Sequence, residues 1–422
     1  MGAIDEAERL LSPSPPAAGL ATVPQAAPLA AASPRRCSQP SRRHRLGRLI
    51  MATMISMLVV ALWLLVFLPQ TLASNVYHGY RSAFSFDSAA DIPSFSAWQA
   101  QLDDATPLAA LSLPGTHDTM TYAMETDRLQ CQNEALATQL RAGLRYFDIR
   151  LRIRVDGSQA PELCVFHADG FTGFCLDEVL RQMVAFLNHE PSEALVVRIK
   201  QEGTPVGGTT EASFESLFKR YIAHDDVAPH IYAPKASSGP ANASFPIPEL
   251  GALRSRILLL QDFPAAAGPA IYGPAWDGPQ MALEDDWITM DLFHLADKWV
   301  SIRNALVNAA MDLSPTNASS AHPPLSRLFL AHISASVGVL PIAAAAGPKD
   351  LDITGLNDMT GQFLEYFGSF ADVRGVGIVI FDFPGSKAIR AVVDMNKAPQ
   401  KRCKLSKTPF CNKNILQTSP AS

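Results

Sequence analysis

The chain has 422 residues, is 48% hydrophobic and carries a formal charge of −5. That length suits one large domain or two ordinary ones, with apolar content enough for a sizeable core. Charge is uneven: residues 1–48 hold seven Arg against three acids, residues 49–75 hold no charge, and residues 76–422 are left with −9. A mildly acidic body excludes a nucleic-acid binder that works through a basic surface.

Residues 1–47 are rich in Pro, Ala, Ser and Arg without an apolar period, and read as a disordered cytoplasmic tail. Leu49 to Leu68 are twenty consecutive uncharged residues, the length that crosses a hydrocarbon core of about 30 Å. A cleaved leader would have an apolar region of about 7–15 residues near the N-terminus; here 48 residues precede the run. The reading is therefore a retained transmembrane helix over 48–69, with a cleaved leader or a buried core helix as alternatives. Arg35, Arg36, Arg42, Arg43, Arg45 and Arg48 just before it keep that side cytoplasmic. The larger part then faces the lumen or the outside as a type II single-pass protein. Two acceptor triplets, Asn242-Ala-Ser244 and Asn317-Ala-Ser319, fit glycosylation there. Five cysteines follow the span, where disulfides persist. Cys403 and Cys411 look paired; Cys164 and Cys175 form a second bridge, or either pairs with Cys131, and one thiol stays free.

Residues 70–104 look like a stalk. From 105 to 398, apolar runs alternate with helical stretches, and 399–422 form a polar tail. The expected strands are Leu108–Leu113, Leu144–Val155, Glu162–His167, Ala194–Gln201, Arg256–Phe263, Trp287–Asp291, Leu325–Ser334 and Val376–Asp382. Helical periodicity marks Asn133–Ala142, Leu176–His189, Glu211–Ile222, Leu295–Asp312, Thr354–Gly368 and Ser386–Asn396. Residues 224–250 and 264–286, rich in Pro, Gly and Ala, read as long loops. Eight strands separated by helices predict an α/β fold, an irregular TIM-type (β/α)8 barrel. Asp118, Arg150, His167, Lys200, Asp291 and Asp382 all fall at or just past strand C-termini. In a barrel those ends share one rim, where active sites lie.

Two histidines and an arginine on that rim suit metal-free phosphodiester cleavage. An imidazole can serve as base or acid near neutral pH, and a guanidinium offers a charged fork to two phosphoryl oxygens. Bland roles compete: Asp118 as a helix cap, Arg150 paired to Asp148 across a strand face, Asp382 as a simple strand end. His332 reads as structural, and Trp276 and Trp287 as core.

The ordered set Ser112-Leu-Pro-Gly-Thr-His117-Asp118-Thr, Gln139-Leu-x-x-Gly143-x-Arg-Tyr-Phe-Asp148-Ile-Arg150, His167 and Glu193-x-Leu-Val-Val-Arg-Ile-Lys200-x-Glu202 resembles the X-region of bacterial-type phosphatidylinositol-specific phospholipase C, within the PLC-like phosphodiesterases. The match is dense from about 108 to 202 and thinner beyond. The resemblance implies His117 as general base, Asp382 as its orienting carboxylate, His167 as general acid, Asp118 as its partner and Arg150 as the phosphate ligand. It also puts Asp148, Lys200 and Asp291 at the phosphate or the inositol ring. Where that family carries a basic residue after its fifth strand, this chain has Gln261-Asp262; where it has a ring-stacking aromatic hydroxyl, Phe293 stands. Calcium-dependent relatives use acids and amides where this chain has Asp118, Asp148, Arg150 and Lys200; a cation beside Arg150 and Lys200 would be repelled, so no metal or cofactor is expected. The implied substrate is a membrane phospholipid, phosphatidylinositol or a glycosylated form of it, cleaved through a cyclic phosphate. The alternatives are a catalytically silent barrel that binds a lipid head group or a partner, and a phosphodiesterase of different lipid specificity. One phosphate would bridge the two imidazoles at a separation of about 5–8 Å.

Overall fold

A computed structural model describes residues 51, 53, 54, 56, 57, 83–85 and 95–397, apart from 158, 235–244, 269, 314–325, 349–350 and 371–372. The tail at 1–47, most of the candidate span at 48–69, both glycosylation triplets, Cys403, Cys411 and the tail at 399–422 lie outside the described residues. Among the described residues no helix is long and apolar enough to cross a membrane.

Eleven strands are described: β1 (Leu113–Thr116), β2 (Tyr146–Arg154), β3 (Glu162–His167), β4 (Gly170–Cys175), β5 (Ala194–Gln201), β6 (Arg256–Asp262), β7 (Met281–Glu284), β8 (Ile288–Thr289), β9 (Leu328–Ile333), β10 (Ser336–Val337) and β11 (Ile378–Phe381). Seven run parallel in one curled sheet, in the order β6-β5-β2-β1-β11-β9-β7. The helices are α1 (Leu136–Arg141), α2 (Leu176–His189), α3 (Phe214–Ile222), α4 (Leu250–Leu253), α5 (Leu295–Asp312), α6 (Pro341–Ala346), α7 (Leu356–Phe367) and α8 (Ser386–Asp394).

Several expectations are corrected. The expected strand Leu108–Leu113 is displaced along the chain: Leu108–Ala110 form a short 3-10 turn and β1 begins only at Leu113. The eight-stranded ladder is not closed among the described residues: no ladder joins β6 to β7. The expected strand Glu162–His167 does not run parallel in the barrel; with β4 it makes an antiparallel hairpin on the far half of β2, in register Leu151↔Val165. The barrel strand expected at Trp287–Asp291 is instead β7, earlier in the chain; β8 pairs only with β10, off the main sheet. Alternation misled there, because β7 is only four residues long.

The sheet core is aliphatic and aromatic. Tyr146, Phe147, Ile149 and Leu151 of β2 are sealed against Leu195, Val197 and Leu259 of β5 and β6. Helix α2 shows why the periodicity was legible: Leu176, Val179, Leu180, Met183, Val184 and Leu187 recur at three- and four-residue steps and are all buried. β1 and β2 approach so closely at Gly115 that an added Cβ would lie 2.5 Å from Tyr146, so only glycine fits. Beneath the sheet, Arg145 and Glu193 form a sealed ion pair at 2.7 Å, and Arg145 also donates to the carbonyls of Leu140, Leu144 and Ser96. Two pieces of the segment read as a stalk are packed on this body: Phe84 and Trp98 are both buried.

Candidate active site

Because the seven strands are parallel, their C-terminal ends form one rim; His117 and Asp382 stand on it just past β1 and β11, and Asp148 and Arg150 join them from within β2. The hairpin adds His167 at the tip of β3. Three short left-handed turns aim these groups: Asp118 (φ 41), Ala168 (φ 50) and Phe383 (φ 44) each sit directly after a candidate catalytic residue. Non-glycine residues rarely adopt positive φ, and such strain concentrates at functional sites.

His117 Nδ1 lies 2.9 Å from Asp382 Oδ1. With Nδ1–H donating to that carboxylate, Nε2 keeps its lone pair toward the mouth. His167 Nδ1 lies 2.8 Å from the Leu129 carbonyl; a carbonyl only accepts, so Nδ1 carries a proton and Nε2 is again the mouth-facing atom. The ring centroids are 6.3 Å apart, within the separation that one phosphate bridges. Asp118 Oδ2 sits between them, 3.1 Å from His117 Nε2 and 3.4 Å from His167 Nε2. Arg150 ties the floor together: its Nε is 3.0 Å from Asp118 Oδ1 and its terminal nitrogen 3.0 Å from Asp148 Oδ2.

Electrostatics follow from burial. Burial, with the Arg150 charge beside it, holds His117 well below its ordinary value of 6.5, so it is a neutral base near pH 7. Burial raises Asp118, although Arg150 and His167 oppose the rise. Burial, and then the Asp118 charge, pushes Asp382 well above the usual carboxylate range. Asp148 goes the other way: burial favours its neutral form, but Arg150 and Arg198 outweigh this and keep it ionised far into acid.

Of the expected site residues, His117, Asp118, Asp148, Arg150, His167 and Asp382 converge. Lys200 lies alongside on β5, paired to Glu202 at 2.8 Å. Asp291 and Phe293 do not converge. Asp291 caps a short helical turn through the amides of Phe293 and His294, and Phe293 is 79% exposed. They follow β8, not a barrel strand, which is why their placement failed.

The structure adds residues that were not expected in the site, although Arg198 lies within the Glu193–Glu202 motif and His332 reads as structural from the sequence. Arg198, on the same face of β5 as Lys200, lies 3.4 Å from Asp148 Oδ1 and 2.6 Å from Asp262 Oδ2, with its guanidinium 3.8 Å from the centre of the Trp276 ring. A charge inside an apolar strand was the available signal. His332 is fully buried, donates from Nδ1 to the Glu284 carbonyl at 2.8 Å and stands edge-on to His117 at 6.4 Å. Asp285, one residue past β7, lies 3.7 Å from its ring. Among the described residues, His117, Asp118 and Cys131 place possible metal-ligand atoms within 4.8 Å of one another; the Arg150 guanidinium, 3.0 Å from Asp118, opposes a cation there. The thiol of Cys131 is free and buried. Cys164 and Cys175 are bonded to each other, joining β3 to β4.

A curled parallel sheet with two imidazoles, an arginine and paired carboxylates on its rim defines a PLC-like phosphodiesterase scaffold. Residues 111–262 match the family Phosphatidylinositol-specific phospholipase C, X domain. A curated relative, 1-phosphatidylinositol phosphodiesterase of Listeria monocytogenes, is 30% identical over 312 residues, covering 71% of this chain and 84% of that protein. A 1-phosphatidylinositol phosphodiesterase of Staphylococcus aureus is 25% identical over 165 residues, 38% of this chain and 51% of its own. The solved phosphatidylinositol-specific phospholipase C from Listeria monocytogenes superposes with a TM-score of 0.55 at 28% identity, covering 72% of this chain and 99% of that one. The chain belongs to the phosphatidylinositol-specific phospholipase C X-domain family.

Proposed function

We propose that the protein is a phosphodiesterase that cleaves phosphatidylinositol-type lipids, releasing diacylglycerol and a cyclic phosphate by metal-independent acid–base catalysis. The observation that carries this reading is the pair of mouth-facing imidazoles 6.3 Å apart over Arg150, in a chain whose relatives are named for this reaction. His117 takes the proton of the head-group hydroxyl next to the phosphate, and its oxygen attacks phosphorus. Arg150 holds the phosphoryl oxygens as charge develops, the step at which a preorganised cation helps most. His167 gives a proton to the departing glycerol oxygen as the phosphorus–oxygen bond breaks. Asp382 fixes the tautomer of His117, and Asp118, 3.4 Å from His167 Nε2, is the carboxylate partner of His167. With water in place of glycerol, the same groups in exchanged roles open the cyclic phosphate.

The head-group wall supports inositol lipids less directly. Asp262 stands where a base was expected, but Arg198 reaches it from the neighbouring strand, so a cation still borders the mouth. A lipid surface fits the rim: Trp287, Ile288, Met290, Phe293 and Val337 are exposed on the segments after β7 and β9, on the same side as the histidines, and clustered apolar exposure of this kind marks interaction faces. We further infer a type II protein with the catalytic body outside the cytosol, anchored by residues 49–68; the Cys164–Cys175 bridge fits an oxidising compartment.

The test is turnover of phosphatidylinositol in vesicles by the full chain, read as a cyclic inositol phosphate by phosphorus NMR, with and without EDTA. Turnover should survive EDTA and vanish in His117→Ala and in His167→Ala. Cleavage that persists in both variants would overturn the acid–base assignment, and loss in EDTA would overturn the metal-free one.

A further inference from the structure

Residues Ala83–Ser85 precede the first barrel strand by almost thirty residues, yet they pack behind its last one. Ser85 bridges Pro384 in antiparallel fashion. The amide of Gly385 donates to the Phe84 carbonyl at 2.7 Å, and that of Lys387 to the Ala83 carbonyl at 3.0 Å. The Phe84 side chain is buried. Its ring lies 4.4 Å from the Lys387 ammonium and fills a slot on α7 at Gly361, where an added Cβ would fall 2.1 Å from the ring. From the other side, Asn357 Nδ2 donates to Ser85 Oγ at 2.8 Å, to the Asp382 carbonyl at 2.9 Å and to the Phe383 carbonyl at 3.2 Å.

The Pro384 bridge, the Gly385 amide and two of the Asn357 bonds fall on one turn, Asp382 to Gly385, and Lys387 extends the contact just beyond it; that turn carries the carboxylate bonded to His117. Its second residue, Phe383, is held at φ 44, a conformation that persists only where surroundings over-determine it. We propose that Ala83–Ser85 is a positioning strap for the reaction: seating Phe84 in the α7 slot fixes the turn, and so sets the Asp382 carboxylate against His117 Nδ1. The strap touches no reacting atom and acts only through Asp382. The proposal rests on His117 being the base. It gives the segment ahead of the barrel a catalytic duty that a passive spacer would not have.

A misplacement of about 1 Å in a supporting group can lower turnover on the order of a hundredfold. In the full chain, Phe84→Ala should therefore lower kcat roughly tenfold to a hundredfold with KM within about twofold. Hydrogen exchange at the Gly385 and Lys387 amides should quicken, because both acceptors loosen. Phe84→Leu, which refills the slot, should recover most of the loss. Gly361→Ala, which blocks the slot without touching the strap, should reproduce it. Unchanged exchange in Phe84→Ala, or faster exchange with unchanged kcat, would overturn the proposal. So would failure of Phe84→Leu to recover. If the wild-type chain turns over no lipid, the fault lies with the proposed function. The strap is then judged by the low-field proton of the His117–Asp382 hydrogen bond: its loss in Phe84→Ala supports the proposal, and its persistence overturns it.

Discussion

Arg150 is where one substitution separates charge from geometry. Its Nε and terminal nitrogen reach Asp118 and Asp148, each at 3.0 Å, so the guanidinium plane is fixed before substrate arrives. Removing one preorganised donor to a developing oxyanion costs about 2.7–4 kcal/mol, roughly 10²–10³ in kcat. Arg150→Lys keeps the charge but loses the fork, so kcat should fall by roughly 10²–10³ with little change in KM. Arg150→Met loses the charge as well and should fall on the order of 10⁴ or more, at about 1.4 kcal/mol per decade. The assay is steady-state release of cyclic phosphate from phosphatidylinositol in vesicles. An Arg150→Lys enzyme retaining more than about a tenth of the wild-type kcat, or losing only KM, would refute the reasoning.

The same change has a structural arm. Asp148 is sealed, and without Arg150 its remaining cation is Arg198 at 3.4 Å. Leaving a buried charge short of its partner costs about 3–5 kcal/mol, so Arg150→Met should unfold at a clearly lower temperature than Arg150→Lys. The pH dependence has a definite sign. The Asp148 carboxyl is depressed in the folded state, so its contribution is complete above its ordinary value of 3.8 and is lost as pH falls through the folded value. The stability gap between wild type and Arg150→Met should therefore be widest near neutrality and should narrow in strong acid.

Three further outcomes follow from the geometry. Because burial and Arg150 depress His117, the acidic limb of kcat/KM should lie below pH 6.5 in the wild type and move upward in Arg150→Met; a limb that stays in place would contradict the cause assigned here. The bridge between Cys164 and Cys175 joins residues 11 positions apart and carries the hairpin of His167. Its removal by Cys164→Ser with Cys175→Ser should cost about 3 kcal/mol in thermal or denaturant unfolding and lower kcat as His167 loosens; unchanged unfolding would count against it. Met290→Ser with Phe293→Ser should weaken turnover of vesicle-borne lipid about tenfold or more, each side chain being worth roughly 1.5–3 kcal/mol when buried. Turnover of a short-chain, monomeric phosphatidylinositol should stay unchanged, and an equal loss on both substrates would place these residues in the site rather than at a membrane.

Legibility tracked how local each signal was. Asp148 and Arg150 were readable because β2 is long enough for alternation to set them on one face, and His117 and Asp118 because they stand at the end of an apolar run. His167 was readable for the same reason, although its strand proved to be half of a hairpin; hydrophobicity reports burial and says nothing of strand direction. Asp291 and Phe293 were misplaced because β7 is four residues long and partly exposed, while the apolar run after it belongs to the rim. Arg198 was passed over because its partner Asp262 is 64 residues away, a pairing that only the sheet register reveals. Arg145 and Glu193 sat inside the diagnostic motifs, yet their sealed pair lies at the base of the sheet; motif membership does not separate chemistry from support.

The left-handed turns connect these observations. A strand that simply ended would carry His117, His167 and Asp382 onward with the pleat, alternating sides. At Asp118, Ala168 and Phe383 the chain turns at once into positive φ, at a cost of about 1–2 kcal/mol each for an L-residue. Each turn is held by contacts from distant segments. The Asp118 amide donates to Asp148 and the Ala168 amide to Glu202, while the Phe383 amide donates to the Cys131 carbonyl. The rim thus keeps its imidazoles and carboxylates aimed at a common point through hydrogen bonds from the turn amides to distant segments. That arrangement lets the wall around the head group change, as at Asp262 and Arg198, while the line from Asp382 through His117 to His167 stays in place.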